Sequence, residues 1–273
     1  MPATDALVTP EWLQDHLGDP GLRVIESSID KAEYDEAHIP GAVWCDHFAD
    51  LLLNGDDTQG FVITPQQYAA LMRRFGITPQ MTVVWYGDRH NSYATRGFWT
   101  MDYYAHPGRV HVLDGGRERW LAEGRPLTRD VPAWPVSEYP VPAALRPENR
   151  ATRPYVLAAM NRADAVILDV RSPEEYDGSN RRANRGGHIP GAVNIEWTQA
   201  TAAPNVLKDE AALRELYASR GVTPDKEIIA HCQLGVRASH TWFVLKHVLG
   251  YPNVRNYDGS WAEWGNAGDT PIE

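Results

Sequence analysis

Cys232 is the residue of this 273-residue sequence whose surroundings best suit a reactive thiol. It follows Glu227–Ala230, whose last three residues are apolar, and His231. After Cys232 come a short loop that contains Gly235 and then a segment, 237–249, with helical spacing of apolar residues. This pattern predicts a buried strand that ends beside Cys232 and a helix that begins shortly after it. Loop N–H groups and the helix dipole would then converge on the thiol and favour its thiolate form.

Arg237 adds a fixed positive charge at the end of the same loop. A nucleophilic thiolate that faces an anionic substrate is the chemistry that this combination favours. The alternative interpretation is a buried structural cysteine, because cysteine is among the most frequently buried residues. In the first half of the chain, Gly87 or Asp88 occupies the corresponding place, so that half is predicted to lack activity. The first half is expected instead to cover the site and to supply contacts across the interface between the halves.

The chain repeats itself, and the repeat predicts two homologous domains. His38–Val43 recurs as His188–Val193, and Gly76–Pro79 recurs with one conservative change as Gly221–Pro224. The order of the matching segments is the same in both halves. A proline-rich stretch separates the halves. The predicted division is therefore a domain over 1–126 without the cysteine, a linker over 127–150 and a catalytic domain over 151–273.

Short apolar runs alternate with helical patterns in both halves, which predicts an α/β fold with a mainly parallel sheet and helices on both faces of it. The predicted strands are 22–26, 81–86, 109–113, 165–170, 226–231 and 253–257. The predicted helices are 10–17, 65–75, 92–104, 116–123, 153–161, 209–220, 237–249 and 259–264. Functional loops of such sheets lie at the carboxyl ends of strands, which is where Cys232 stands.

Composition excludes several classes of function. The net charge of −10 argues against nucleic acid and against anionic membranes, because phosphate binding requires a clustered basic surface. No apolar run has the length of a membrane span, and the first residues lack the pattern of a secretion signal. Two cysteines cannot form a disulfide framework, which indicates the reducing cytoplasm. No glycine pattern has the spacing of a nucleotide site, and no cofactor is expected.

The sequence resembles the rhodanese family of sulfurtransferases, in its tandem two-domain form, over nearly the whole chain. The resemblance rests on the His-Ile-Pro-Gly-Ala motif in both halves, on Leu168–Tyr176, on the Cys232 loop and on Asn256–Trp264. It implies two rhodanese-like domains. It also implies a transfer in two steps, in which a cysteine takes sulfur from an anionic donor such as thiosulfate and passes it to a thiophilic acceptor such as cyanide.

By matching residues, the resemblance makes Cys232 the nucleophile that becomes a persulfide. Arg171 matches a position that contacts the anionic donor, and Asp169 is expected to position that segment. Asp169 is equally consistent with a strand-end carboxylate that is satisfied within the fold. The resemblance assigns the cradle for the transferred sulfur to the residues after the nucleophile, namely Gln233, Leu234, Gly235, Val236 and Arg237.

The loop departs from two patterns of the family. Thiosulfate-preferring members often carry Arg and Lys directly after the cysteine, and 3-mercaptopyruvate-preferring members show Gly and Gly-Val-Thr. The loop here reads Cys-Gln-Leu-Gly-Val-Arg, and Arg237 is able to replace one lost charge. A basic insertion, 181–185, has two interpretations. It is either a second source of positive charge at the entrance to the site or a solvated loop. Thiosulfate is the favoured donor, and 3-mercaptopyruvate or a partner protein that feeds a persulfide carrier are the alternatives.

Two other interpretations compete. A cysteine-dependent phosphatase needs five residues between cysteine and arginine, whereas four separate Cys232 from Arg237. A zinc site from Cys232 with His231, His240 and His247 lacks a Cys-x-x-Cys pair. The second cysteine, Cys45, matches an apolar residue of the other half and is predicted to be structural.

Overall fold

The computed structural model describes residues 3–53, 55, 59–202 and 205–273, without the side chains of residues 3 and 4. The first half forms a five-stranded sheet in which all neighbouring strands are parallel. Its strands are β1 (Leu7–Val8), β2 (Leu22–Glu26), β3 (Val43–Trp44), β4 (Thr82–Tyr86) and β5 (Val110–Leu113). Their spatial order is β1-β5-β4-β2-β3.

The second half repeats this sheet with the same strand order and the same parallel pairing. The strands of the second half are β6 (Arg150–Ala151), β7 (Ala165–Asp169), β8 (Val193–Asn194), β9 (Thr201–Ala202), β10 (Val206–Leu207), β11 (Glu227–His231) and β12 (Val254–Tyr257). The sheet has the order β6-β12-β11-β7-β8, while β9 and β10 form a separate antiparallel pair. The predicted α/β fold with two similar parallel sheets is confirmed.

Helices cover both faces of each sheet. In the first half they are α1 (Pro10–His16), α2 (Lys31–Glu36), α3 (His47–Asp50), α4 (Pro65–Arg74), α5 (Ser92–Tyr103) and α6 (Gly116–Ala122). In the second half they are α7 (Arg153–Ala159), α8 (Pro173–Tyr176), α9 (Glu210–Ala218), α10 (Val236–Phe243) and α11 (Ser260–Trp264). A π-helical turn, Val244–Val248, continues α10. No helix in the described ranges has both the length and the apolar character needed to cross a bilayer.

One hydrophobic core joins the inner faces of the two sheets, and the outer face of each sheet has a core of its own. The two halves meet where α5 packs against α10. Every residue of α5 is buried. Gly97 allows this helix to approach β4 closely, because a Cβ there would lie 2.4 Å from the ring of Trp85.

All six predicted strands and all eight predicted helices are present, with ends that differ by a few residues. The sequence analysis missed the two-residue edge strands, such as β3 and β8, and the short helices α2, α3 and α8. A two-residue strand or a helix of only a few residues is too short to show a hydrophobic period, so the sequence contains no pattern that predicts it.

The proline-rich segment 127–150 lies across the first domain, although its boundaries as a linker remain a prediction. Tyr139 is buried, and Trp134 packs against the guanidinium of Arg23, whose Cζ lies 3.6 Å from the ring centroid. The N–H of Ser137 donates to the carbonyl of Arg73. At its end, Arg150 pairs with β12 in the second sheet. The segment is therefore attached to both halves.

Gly97→Ala should destabilise the protein, because the added methyl group would overlap the buried Trp85 ring. Overpacking of this kind costs about 1–3 kcal/mol and outweighs the helix preference of Ala over Gly. The free energy of unfolding in urea measures the effect. Gly18→Ala is the matched control, since nothing lies within 4 Å of its Cβ position. Equal stability of the two variants would contradict the packing argument.

Candidate active site

Cys232 lies at the carboxyl end of β11, the central strand of the second sheet, and its side chain is buried. Its N–H donates to Ser260 Oγ at 3.0 Å, and its carbonyl accepts from the N–H of Trp261 at 3.0 Å. The first turn of α11 therefore fixes the backbone of the cysteine from both sides. The predicted sequence of strand, loop and helix around the thiol is confirmed.

The loop Gln233–Gly235 leads directly into α10. No acceptor among the described residues takes the N–H groups of Gln233, Leu234 or Gly235. Gly235 has a φ of +71°, and a Cβ there would lie 2.7 Å from Asp258 Cα, so the turn requires glycine. These N–H groups and the start of α10 form a concave group of donors that suits an anion.

Arg237 lies in the first turn of α10 and forms a two-pronged ion pair with Glu175 of α8. Its Nη1 and Nη2 donate to the two carboxylate oxygens of Glu175 at 2.6 and 2.9 Å. Burial would raise the pKa of Glu175, but the hydrogen bonds from Arg237 outweigh it and the pKa is lowered. Burial would lower the pKa of Arg237, but the bonds to Glu175 outweigh it and the pKa is raised. The positive charge of Arg237 is thus balanced by the carboxylate of Glu175. The sequence did not indicate Glu175 as a residue of the site.

A capping box at α8 could have drawn attention to Glu175. Ser172 accepts from the N–H of Glu175, and the Glu175 carboxylate accepts from the N–H of Ser172. This Ser-x-x-Glu pattern is visible in the sequence. The sequence contains no sign that the same carboxylate faces the catalytic loop, because that depends on how α8 packs against α10.

Asp169 and Arg171 are both buried and bind each other. Arg171 Nε lies 3.0 Å from both carboxylate oxygens of Asp169, and Arg171 Nη2 lies 2.6 Å from Oδ2. Arg171 Nη2 also donates to the carbonyl of Gly187, and the guanidinium lies 4.3 Å from the ring centroid of Trp261. These contacts satisfy the Asp169 carboxylate within the fold, and its positioning role remains a prediction. The donor contact assigned to Arg171 remains a prediction.

His231 is adjacent to Cys232 but faces Asp169, with Nε2 3.5 Å from Asp169 Oδ2. Burial lowers its pKa to about 4, so the ring is neutral at physiological pH. His240 is also buried, packs against Trp197 and has a pKa lowered by burial to about 3. His247 lies on the π-helical turn, and its Nε2 is 3.8 Å from Oδ2 of Asp102 in α5.

The described residues include no group of three or more His, Cys, Asp or Glu side chains placed to hold a metal ion. Cys45, the second cysteine, is fully buried in the core, as predicted. Burial raises its pKa well above the usual range, so it remains a thiol.

The basic insertion 181–185 contacts the loop through its backbone. Gln233 Nε2 donates to the carbonyl of Arg182, whose own side chain is half exposed and lies 4.0 Å from Glu175. Arg185 instead donates to backbone carbonyls near the end of the chain, at Thr270 and Trp264. One arginine of the insertion therefore faces solvent near the site, and another is part of the fold.

The first domain covers the loop, as expected, with residues that the sequence analysis did not identify. The N–H of Val62 in the first domain donates to Asp258 Oδ2 at 2.9 Å, while Oδ1 of the same carboxylate accepts from Arg150 Nε of β6 at 2.9 Å. Arg96 of α5 is fully buried, and it donates to the carbonyls of Gly60 and Gly235 at 3.0 and 3.4 Å. Nothing in the sequence marks Arg96, because it lies in the middle of an otherwise ordinary helical pattern.

In the first domain, Gly87 stands where Cys232 stands in the second, directly after the homologous central strand. Tyr86 ends β4 opposite Glu26 of β2, just as His231 ends β11 opposite Asp169 of β7. A Cβ at Gly87 would lie 2.1 Å from the carbonyl oxygen of Ser27. This position therefore has no room for a side chain.

The comparisons with known proteins agree with this geometry. Residues 9–123 and 152–267 each match the family model described as the Rhodanese-like domain. The chain is 43% identical over 280 residues to the sulfur carrier protein TtuD of Thermus thermophilus, which covers 98% of this chain and 96% of that protein. It is 42% identical over 278 residues to a thiosulfate sulfurtransferase of Corynebacterium glutamicum, which covers 98% and 90% of the two chains.

Solved structures of EanB are similar in fold over the same extent. The wild-type structure matches with a TM-score of 0.85 and 26% identity, covering 98% of this chain and 69% of that chain. Another EanB structure, with ergothioneine covalently linked to a cysteine persulfide, matches with the same TM-score and identity. The matched segments, the two equivalent sheets and the Cys232 loop lead to one conclusion. The chain belongs to the rhodanese family and has two rhodanese-like domains in tandem.

Proposed function

We propose that this sulfurtransferase takes the sulfane sulfur of thiosulfate onto Cys232 and passes it, through a persulfide, to a thiophilic acceptor such as cyanide. The observation that carries the proposal is the group of free N–H donors around Cys232 at the carboxyl end of β11. Family membership supports the persulfide route, and the name of the Corynebacterium relative supports thiosulfate as donor.

In the first step, the Cys232 thiolate attacks the outer sulfur of thiosulfate. An S–S bond forms between Cys232 Sγ and that sulfur, the S–S bond of thiosulfate breaks, and its electron pair leaves with sulfite. The negative charge that was on Sγ now lies on the terminal sulfur of the persulfide. The N–H groups of Gln233, Leu234 and Gly235, together with those at the start of α10, are placed to stabilise that charge.

In the second step, the carbon of cyanide attacks the terminal sulfur. A C–S bond forms, the persulfide S–S bond breaks, and its electron pair returns to Sγ as the thiolate while thiocyanate leaves. Charge balances in both steps, and neither step requires a cofactor or a proton donor. This agrees with a site in which the neighbouring His231 is neutral and faces Asp169.

A persulfide carrier is the second candidate, because the chain is 43% identical to a protein named sulfur carrier. The chemistry at Cys232 would be the same, and a protein thiol would take the place of the small donor or acceptor. The half-exposed Arg182 beside the loop is available to either kind of anionic partner. 3-Mercaptopyruvate remains the alternative small donor.

The proposed setting is the cytoplasm, with a small anionic donor, a thiophilic acceptor and, in the carrier case, a sulfur-accepting protein. The net charge of −10 supports partners other than nucleic acid or anionic membrane. The described thiols Cys45 and Cys232 are both free, which suits a reducing compartment.

Incubation with thiosulfate should add one sulfur atom to the peptide that contains Cys232, and cyanide should remove it. Cys232→Ser should gain no sulfur and should lose turnover entirely, because serine cannot form a persulfide. Intact and peptide mass spectrometry measure both results. A parallel incubation with 3-mercaptopyruvate identifies the better donor.

Cys45→Ser is the matched control for this experiment, because Cys45 is likewise a buried free thiol but belongs to the first domain, outside the Cys232 loop. It should keep both the added sulfur and the turnover. Full turnover in Cys232→Ser would refute the mechanism. Failure of both small donors to load the wild type, with loading by a persulfide-bearing protein, would favour the carrier.

Arg237→Ala should raise the KM for thiosulfate about tenfold or more, since a charge-assisted hydrogen bond contributes about 1.5–3 kcal/mol. It should also destabilise the fold, because Glu175 would remain buried without its partner. The double variant Arg237→Ala/Glu175→Gln separates the two effects. It should recover stability and keep the raised KM.

Steady-state kinetics and urea unfolding on the three proteins test this expectation. A wild-type KM in the double variant would show that Arg237 acts only through the fold. The same comparison applies to Arg171→Ala, which should raise the KM for thiosulfate if Arg171 contacts the donor. An unchanged KM would assign Arg171 to the support of Asp169.

A further inference from the structure

Arg96 is a buried cation that the reaction as described above does not use. It belongs to α5 of the domain without the cysteine, and its exposed fraction is 0%. Its terminal nitrogens donate to the carbonyls of Gly60 and Gly235, so it joins the covering segment of the first domain to the catalytic loop. Its Nε has no partner among the described residues. A buried guanidinium with an unused donor is costly unless an anion lies nearby.

The charges around the loop leave Arg96 without a carboxylate of its own. Each of the three buried carboxylates near the loop accepts hydrogen bonds from an arginine. These pairs are Arg237 with Glu175, Arg171 with Asp169, and Arg150 with Asp258. Asp258 is close enough to act on Arg96 as well, but two arginines then share one carboxylate. The buried surroundings of Cys232 therefore carry one excess positive charge, and it lies on the Arg96 side.

Arg96 is held as a cation beside the Cys232 loop. Burial lowers the pKa of Arg96 to about 10, while Asp258 and the Cys232 thiolate oppose that shift. Arg96 thus stays protonated at neutral pH. Its guanidinium donates to the carbonyl of Gly235, three residues after Cys232, so a buried positive charge is fixed against the loop that carries the thiol.

We propose that Arg96, supplied by the domain that lacks a nucleophile, is a positioning residue for sulfur transfer: its charge stabilises the anionic sulfur on Cys232, and its hydrogen bond to Gly235 holds the loop that carries the cradle. The inference rests on the proposed role of Cys232. It assigns the first domain a direct part in the reaction, because the charge that balances the thiolate or persulfide comes from α5.

Arg23 provides a matched control for a purely structural effect. It is also a buried arginine of the first domain, it donates to a single carbonyl, that of Gly76, and burial also lowers its pKa to about 10. It packs against Trp134 of the segment 127–150 and makes no contact with the catalytic loop among its described contacts. Loss of Arg23 therefore removes a buried cation of the same kind from a place that cannot affect Cys232.

The test is the rate at which neutral iodoacetamide alkylates Cys232, followed by peptide mass spectrometry from pH 5 to 10. In Arg96→Met, the pH of half-maximal rate should rise by about one unit or more, which is the effect of removing an opposite charge. Arg96→Lys should restore part of the shift. Arg23→Met should keep the wild-type profile, even if it loses as much stability as Arg96→Met.

Asp258→Asn is the second variant, and it keeps the test decisive if Arg96→Met fails to fold. It removes a negative charge next to Arg96 while leaving an oxygen acceptor, so the profile should move to lower pH. The other charged and titratable groups that face the loop or Arg96 are unchanged in every variant. They are Arg237, Glu175, Arg182, Asp169, Arg171, His231, Arg150 and Tyr104.

Wild-type profiles in Asp258→Asn and in whichever Arg96 variants fold would overturn the inference. A shift of equal size in Arg23→Met would do the same, because it would show a general effect of destabilisation. Alkylation requires no sulfur donor. If the pH shifts occur but thiosulfate loads no sulfur onto the wild type, the proposed function fails while the role of Arg96 stands.

Discussion

The contact between α5 and α10 is the constraint on which the rest of the molecule depends. It joins the inner faces of both sheets in one hydrophobic core, so neither domain has a closed interior alone. Gly97 brings α5 onto β4, and the same helix then presents Arg96 to the loop that begins α10. The Cys232 loop is consequently formed in one domain and contacted by a buried cation of the other. Separation of the domains would expose apolar surface and remove a cation from the site in a single event.

The first domain repeats the fold of the second but is closed to its chemistry. Its loop after the central strand, Gly87–Asn91, is one residue longer than Cys232–Gly235, and Arg89, His90 and Asn91 all adopt positive φ. Three successive residues without glycine in that region are strained, and such strain persists only where surrounding contacts enforce it. Since Gly87 also lies against Ser27, restoring a cysteine there would require a rebuilt loop. The duplicated domain instead contributes cover and charge.

Much of the fold was predictable because short stretches of the sequence show the patterns of its main strands and helices. The central strands and long helices, such as β11 and α10, show hydrophobic periods, and the duplicated motifs indicate that the sheet occurs twice. The edge strands of two residues have no period and could not be predicted. In the candidate site, Cys232 and the proposed cradle are contiguous in sequence, so a local pattern was sufficient to predict the strand, loop and helix that carry them.

The remaining site residues come from distant segments, and their meeting depends on packing. Glu175 approaches from α8, Ser260 from α11 and Arg96 from the other domain. Each is an ordinary residue for its position: a helix cap partner, a turn residue and a polar residue in a helix. Local sequence therefore contained no signal that these three side chains converge on one loop. A long-range contact is specified by the whole core, and a pattern read over ten or fifteen residues does not include it.

The charge arrangement also explains how a loop with few basic residues can hold an anionic sulfur. The residues that directly follow Cys232 are uncharged, and Arg237 is bound to Glu175, so little free positive charge lies on the loop itself. A carboxylate beside the cradle would repel thiosulfate if it were unpaired, and its pairing with Arg237 removes that repulsion. Besides the hydrogen bond expected from Arg237, further attraction is then expected from groups outside the loop. In the proposed arrangement, Arg96 adds attraction from within the fold, where low dielectric strengthens the interaction, and the half-exposed Arg182 is placed to add it at the surface, where salt screens it. In this arrangement the two arginines have different roles. The surface charge of Arg182 acts on an approaching donor, and the buried charge of Arg96 acts on the sulfur after it is bound.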